Sequence, residues 1–300
     1  MFKRIREICK HRYFFIEHIR MRVDSLLVGE KPSLRRGLGV DVEDFREYVF
    51  GDDFRNIDWK VSARIPYSDY PRFIVREYRE EKALNMFILL DVSASMRYGE
   101  KWLTAIGCLV SLIEIARRSK DKVGVGTLCV KDPKIIVPIS PVGLSEYLFR
   151  QICKGEIEPM GSVGIYESVK RLSSYFSRRN FVVLITDAAH EVEEIKDSLK
   201  FIREKSMGVG VIMIIDRREL EIPIAGLITL EDYEIPTSLG LEGDDAKMLS
   251  AYLKRHLRKI ELSIENMGIP YVKITRYAEI PQKIRKLVSL YGKTREVSYV

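Results

Sequence analysis

From residue 83 onward, short apolar runs alternate with longer amphipathic stretches, and this alternation limits what the 300-residue chain can become more than any other feature. ALNMFILLDV, KVGVGTLCV, NFVVLITDA and GVGVIMIID are continuous apolar runs of strand length, the pattern of strands buried on both faces. Between them, KWLTAIGCLVSLIEIARRS, SEYLFRQICKG, IYESVKRLSSYFS and HEVEEIKDSLKFIREKS repeat apolar residues at helical spacing. A long helix, DDAKMLSAYLKRHLRKIELSIENMG, a strand, PYVKIT, and a last helix, EIPQKIRKLVSLYG, complete the series. Strands joined by helices of this length imply βαβ units, so the expected class is α/β with a doubly wound, mostly parallel sheet. PKIIVPI is shorter and is expected as an antiparallel edge beside KVGVGTLCV. The glycines at 122–127 and 208–211 lie inside strand patterns. They are not dinucleotide fingerprints, which need a strand before them and a helix opening after them.

Two further segments precede this region. Residues 1–28 read as one basic amphipathic helix, with Ile5, Ile8, Tyr13, Ile16, Ile19, Val23 and Leu26 at helical spacing. Residues 29–82 are punctuated by Gly29, Pro32, Gly37 and Gly39 and then mix acids, bases and aromatics, which suggests short strands and turns docked on the larger domain at 83–300. Charge is polarised. Residues 1–36 carry ten Lys/Arg against four Asp/Glu, and residues 251–300 carry eleven against four, within a net charge of +7. Such ends can meet nucleic acid, acidic lipid or an acidic protein face, although no nucleic-acid-binding motif accompanies them and a nucleic-acid partner is not expected. The four cysteines (Cys9, Cys108, Cys129, Cys153) show no C-x-x-C pair and are expected as reduced thiols. No apolar run is long enough to span a bilayer and no signal-peptide core is evident, so the expected address is cytoplasmic.

The chemistry concentrates where strands end. Asp91, Ser93 and Ser95 follow the first apolar strand, a Gly161–Gly164 loop containing Ser162 opens a helix, and Thr186–Asp187 ends a later strand. In open α/β sheets, ligands bind at this carboxyl edge. Two carboxylates and several hydroxyls are hard oxygen donors that suit Mg²⁺ or Mn²⁺. A partner's carboxylate can complete the coordination shell of such an ion. The competing reading of the serines is helix capping.

This D-x-S-x-S pattern with a later T-D resembles the metal-ion-dependent adhesion site of the von Willebrand factor type A domain. Carried across residue by residue, the resemblance implies metal ligation by Asp91, Ser93, Ser95 and Asp187. The position of the family's usual threonine holds Val163, which has no donor, and Ser162 beside it is the substitute. The upstream block sharpens the match. Gly51, Asp52, Asp53, Arg55, Ile57, Asp58 and Trp59, followed by Arg64, resemble the G-D-D-x-R-x-I-D-W block of the domain of unknown function 58 family, where it precedes a von Willebrand A-like domain. That resemblance covers nearly the whole chain from about residue 29. It implies a non-enzymatic adaptor that partners a MoxR-type AAA+ ATPase and a client protein, in complex assembly or metal insertion. Arg46, Asp52, Asp53, Arg55, Asp58 and Arg64 are then a partner-recognition face or an internal ion-pair network, with the network favoured. Trp59 is expected in a core.

Rival readings are a metal-dependent hydrolase, for which no general base or second metal cluster stands out, and a binder of nucleic acid or acidic membrane through the basic ends. No G-x-S-x-G elbow and no phosphate-binding loop are present. His11, His18, His190 and His256 show no metal-ligand spacing, and His11 and His18, seven apart on one helix face, are expected at the surface.

Overall fold

The computed structural model describes residues 2–28, 42–64, 72–78, 84–129, 132–222, 228–231, 238–241 and 243–297. The punctuating residues Gly29, Pro32, Gly37 and Gly39, and the prolines Pro223 and Pro236 of the loop-rich stretch 217–244, lie outside them. The described residues fall into two compact units, one of 2–28 with 84–297 and one of 42–64 with 72–78.

The larger unit is built on a six-stranded sheet. Its strands are β3 (Asn85–Asp91), β4 (Lys122–Leu128), β5 (Ile135–Ile139), β6 (Asn180–Thr186), β7 (Gly208–Ile214) and β8 (Tyr271–Ile274), in the spatial order β8-β7-β6-β3-β4-β5. All pairings are parallel except β4 with β5, which is antiparallel and places β5 at the edge as its sequence suggests. Alternation along the central strands feeds two cores. Met86, Ile88 and Leu90 join Val183 and Ile185 on one face, while Phe87 and Leu89 join Val182 and Leu184 on the other. Each such side chain, fully buried, is worth roughly 1.5–3 kcal/mol of transfer free energy. This is why the strands read as unbroken apolar runs. Gly124 sits opposite Phe87 across β3 and β4. A Cβ there would meet the Phe87 ring at 2.6 Å, so the glycines of β4 make room for an aromatic side chain.

Helices cover both faces, the layout of a doubly wound sheet. The first core takes α2 (Arg12–Val28), α4 (Lys101–Ser119), α5 (Leu144–Cys153) and α10 (Ile280–Val297). The second takes α6 (Ile165–Leu172), α7 (Val192–Lys205) and α9 (Gly243–Asn266). From β3 the chain crosses through α4 to β4 on one side, and later inserts β6 on the other side of β3. The direction of winding therefore reverses between β3 and β6, and the crevice at their carboxyl ends is the natural ligand position.

The N-terminal helix is two helices. α1 (Phe2–Lys10) ends at His11, whose N–H reaches the Ile8 carbonyl at 3.0 Å as a tight turn, before α2 resumes. The turn lets each helix pack separately. Ile16, Ile19 and Val23 are buried, and Phe15 packs between Phe149 and Tyr277. Arg20 pairs with the buried Glu114 at 3.2 Å and with Glu146 at 2.6 Å, tying α2 to α4 and α5. Tyr13, by contrast, is exposed.

The expectation of reduced thiols fails at two positions. Cys9 and Cys153 form a disulfide across 144 residues, because α1 runs beside the end of α5 and brings their Cα atoms to 5.7 Å. Structural disulfides are rare in mesophilic cytosol and common in oxidising compartments and in hyperthermophiles, so this pairing also weighs against the expected address. Cys108 is buried and Cys129 half-buried, both as free thiols. Thiol titration of the denatured protein is therefore expected to count two thiols before reduction and all four after it. A count of four without reductant removes the bridge.

Among the described residues, no helix is long and apolar enough to cross a membrane.

The smaller unit is an antiparallel pair, β1 (Val42–Glu47) and β2 (Ile74–Tyr78), with a short helix, α3 (Trp59–Ser62), between them in sequence. Asp58 is buried and caps α3 by accepting from the N–H groups of Lys60 and Val61 at 3.0 and 3.1 Å. Its own N–H donates to the Ile74 carbonyl at 2.7 Å.

Candidate functional site

Asp91 ends β3 at the point where the winding reverses, and it is fully buried. Its Oδ1 accepts the Ser93 N–H at 2.9 Å. Its Oδ2 accepts the Thr186 hydroxyl at 2.7 Å and lies 2.9 Å from His190 Nε2. Burial works to raise the Asp91 pKa, but the His190 bond and charge, with Thr186 and the Ser93 amide, outweigh it and hold the carboxyl below its ordinary range. For His190, burial works downward, and Asp91, with more distant help from Asp187 and Glu194, raises the imidazolium to about 9. The pair is thus an ion pair at neutral pH.

After Asp91 the chain turns into a single 3₁₀ turn over Ala94–Arg97. Ser93 occupies the N-cap position, yet its side chain makes no capping bond. Its Oγ lies 2.9 Å from Ser95 Oγ instead. Ser93 is buried and Ser95 half-buried. A second loop clamps this one. Met160 N–H donates to the Val92 carbonyl at 2.8 Å, Ala94 N–H to the Gly161 carbonyl at 2.9 Å, and Arg97 Nε to the Pro159 carbonyl at 2.6 Å. Gly161 has φ +62°, the left-handed conformation that favours glycine.

Asp187 follows β6. Its Oδ1 accepts the Ala189 N–H at 3.0 Å and its Oδ2 the Lys101 ammonium at 2.8 Å. Ala188 between them has φ +59°, a left-handed turn in a residue with a Cβ. That turn folds the loop back so that His190 reaches Asp91. Lys101 opens α4, is 2% exposed, and also contacts Glu219 of the short helix α8 (Arg217–Leu220). Burial works to lower the Lys101 pKa, and Asp187 and Glu219 more than reverse it. Glu219 is raised, chiefly by burial and further by Asp187, against the pull of Lys101.

The structure therefore brings together Asp91, Ser93, Ser95 and Asp187 at one edge. Ser162 is exposed on the clamping loop, while Val163 is buried in the second core, so the threonine position is filled by an apolar anchor. Thr186, His190, Lys101 and Glu219 were not among the site residues expected from the sequence. His190, which shows no metal-ligand spacing in the sequence, is 8% exposed and faces Asp91, because the loop doubles back. A signal existed for Lys101: a lysine at the first position of a helix faces the positive end of the dipole and calls for a counter-charge.

Hard-cation donors fit here. Octahedral bonds of about 2.0–2.1 Å place adjacent ligands roughly 2.9 Å apart, which is the separation of the two serine hydroxyls. Asp91, Asp187 and His190 each offer a ligand atom, all within 4.8 Å of one another. All three residues already face a cation or are one: Asp91 faces His190, Asp187 faces Lys101, and His190 carries the charge itself.

The upstream block forms bonds inside its own unit. Arg46 grips Asp52 with two parallel bonds of 2.7 and 2.8 Å, holding the Asp52 carboxyl down at about 2. Arg55 pairs with Asp53 at 2.8 Å. Arg64 is exposed. Trp59, expected in a core, is 62% exposed and stacks edge-on against Phe73 at 5.7 Å. Among the described residues this unit has two strands, a 3₁₀ turn at Phe54–Asn56 and a four-residue helix, little interior to cover an indole.

The sequence pattern described as "Protein of unknown function DUF58" matches residues 44–261. Curated relatives include uncharacterized proteins of Mycobacterium bovis (strain ATCC BAA-935 / AF2122/97) and Mycobacterium tuberculosis (strain ATCC 25618 / H37Rv). Each is 25% identical over 222 residues, covering 72% of this chain and 68% of the relative. Among solved structures, the conserved hypothetical protein BatB from Bacteroides thetaiotaomicron is 19% identical with a TM-score of 0.44, over 70% of this chain and 100% of that one. An aerotolerance-related membrane protein from Bacteroides fragilis NCTC 9343 is 16% identical with a TM-score of 0.42, over 69% and 100%.

Proposed function

The chain belongs to the DUF58 family, and we propose that it is a non-enzymatic interaction module of von Willebrand A-like type that receives a partner protein's carboxylate at the Asp91–Asp187 edge. The observation that carries this reading is the Ser93–Ser95 hydroxyl pair, hydrogen-bonded to each other at 2.9 Å with Ser93 making no capping bond, beside two buried carboxylates. Ser93 and Ser95 would hold Mg²⁺ or Mn²⁺, with Asp91 and Asp187 supplying the negative charge around it. Such an ion offers a Lewis-acidic position to an incoming Asp or Glu. The chain's own residues do the rest. Thr186 and His190 fix the Asp91 carboxylate, Gly161 and Pro159 hold the serine loop in place, and Lys101 orients Asp187.

The partner follows from the family resemblance: a MoxR-type AAA+ ATPase, with a client at the metal edge. The test is affinity capture from source lysate in Mg²⁺ and in EDTA, using wild type and Ser93→Ala/Ser95→Ala. An AAA+ ATPase or client held by wild type in Mg²⁺, and reduced about tenfold or more in the other three lanes, is the expected result. Equal capture in all four lanes rejects the metal-gated adaptor and directs attention to the Asp52–Trp59 block.

A further inference from the structure

Lys101, like the His190 imidazolium, is a feature at this edge that a simple cation site does not call for. It sits at the unfavourable end of a helix dipole, it is almost fully buried, and its ammonium lies 2.8 Å from an oxygen of Asp187. The other Asp187 oxygen is occupied by the Ala189 N–H. An ion drawing on Asp187 therefore meets a cation already in contact with it, and like charges at such distances in a buried site repel strongly. The ammonium has a second acceptor. Glu219 comes from a different element, the four-residue helix α8, and its side chain is 30% exposed against 0% for Asp187.

We infer that Lys101 is a tethered competitor of divalent cations at Asp187, and that Glu219 is the acceptor that retains its ammonium when a divalent cation is bound. This rests on the proposed metal-dependent reading and adds a regulation to it. The lysine charge keeps Asp187 satisfied in the empty site and lowers affinity for the free ion. A partner's carboxylate restores the balance by adding a negative ligand. Ion and partner then bind with positive coupling, which by linkage is reciprocal. The two loops that carry Asp187 and Glu219 follow adjacent strands, β6 and β7, so the lysine is shared between neighbouring positions of one sheet edge.

The test is Mn²⁺ binding to the full chain at a single pH, followed by calorimetry and electron paramagnetic resonance. Wild type, Lys101→Met, Glu219→Gln and Lys120→Met are compared, with thermal melting confirming that each is folded. Removing a like charge in contact with a ligand is expected to tighten Mn²⁺ binding about tenfold or more in Lys101→Met. Glu219→Gln removes the negative charge that competes for the ammonium, shifts it toward Asp187 and is expected to weaken binding several-fold. Lys120→Met, an exposed lysine at the far end of α4, is expected to match wild type. Opposite signs from two substitutions in one ion cluster exclude a general loss of structure. Equal or weaker binding in folded Lys101→Met overturns the inference and leaves the metal reading standing. If Lys101→Met does not fold, unchanged or tighter binding in Glu219→Gln overturns it. Absence of Mn²⁺ binding in every variant overturns both.

Discussion

Lys101→Met is expected to destabilise the larger unit by about 3–5 kcal/mol in metal-free buffer, the cost of stranding a buried charge by removing its partner. The charge in question is Asp187, whose side chain is 0% exposed and whose Oδ2 accepts the ammonium. Asp187→Asn is expected to cost less. The asparagine carbonyl still accepts the Ala189 N–H, and the ammonium still has Glu219. The double variant Lys101→Met/Asp187→Asn removes both charges together. It is expected to lie well above the sum of the single losses, with a coupling energy of about 2–3 kcal/mol. Urea denaturation in EDTA at constant m-value measures all three. A Lys101→Met midpoint within about 1 kcal/mol of wild type would mean that the ammonium is solvated rather than buried against Asp187. Added Mn²⁺ is expected to recover part of the loss in Lys101→Met, because an ion that binds only the folded state stabilises it by mass action.

What the sequence shows of this molecule, and what it hides, divides by the range of the interaction. β3, β6 and β7 were legible as apolar runs because a strand buried on both faces has no polar residue to spare, and residues 86–90 and 181–185 feed both cores. The antiparallel edge strand β5 was legible from its shortness and its neighbour. Asp91 and Asp187 were legible because strand ends at one sheet edge converge whatever the loops do. The partners of those carboxylates were not. Lys101 and Asp187 are 86 residues apart, and Asp91 and His190 are 99 apart. No periodicity encodes such pairs. The Cys9–Cys153 bridge, at a separation of 144, belongs to the same class. Trp59 failed for another reason: hydrophobicity predicts burial only where a core exists to receive the side chain, and the described residues of its unit form too few elements to make one. The single N-terminal helix failed because its apolar spacing continues through His11 while the backbone makes a tight turn there.

The second large effect is a loss of stability on the alkaline side of neutrality. In the folded chain His190 is raised to about 9, against an ordinary value of 6.5. A group whose folded pKa exceeds its unfolded value contributes stability that is complete below the unfolded value and disappears as pH rises through the folded one. The window is therefore pH 6.5 to about 9, and the shift corresponds to on the order of 3 kcal/mol. The depressed Asp91 carboxyl gives the complementary acid limb, since the same ion pair is lost again as Asp91 is protonated. Wild-type stability is thus expected to fall between pH 6.5 and 9, as the imidazolium facing Asp91 loses its proton. His190→Gln keeps a hydrogen-bond donor for Asp91 Oδ2 without a titrating group, so it is expected to be less stable at pH 6.5 and nearly flat across the window. Urea midpoints at half-unit steps of pH measure both curves. Parallel curves would show that His190 does not carry the proton. If they converge toward pH 9, the edge is held at neutral pH by two internal cations, Lys101 and His190, against Asp91, Asp187 and Glu219. That arrangement explains how a cluster of buried carboxylates can fold without a bound ion, and under the proposed reading an arriving ion would have to compete for it.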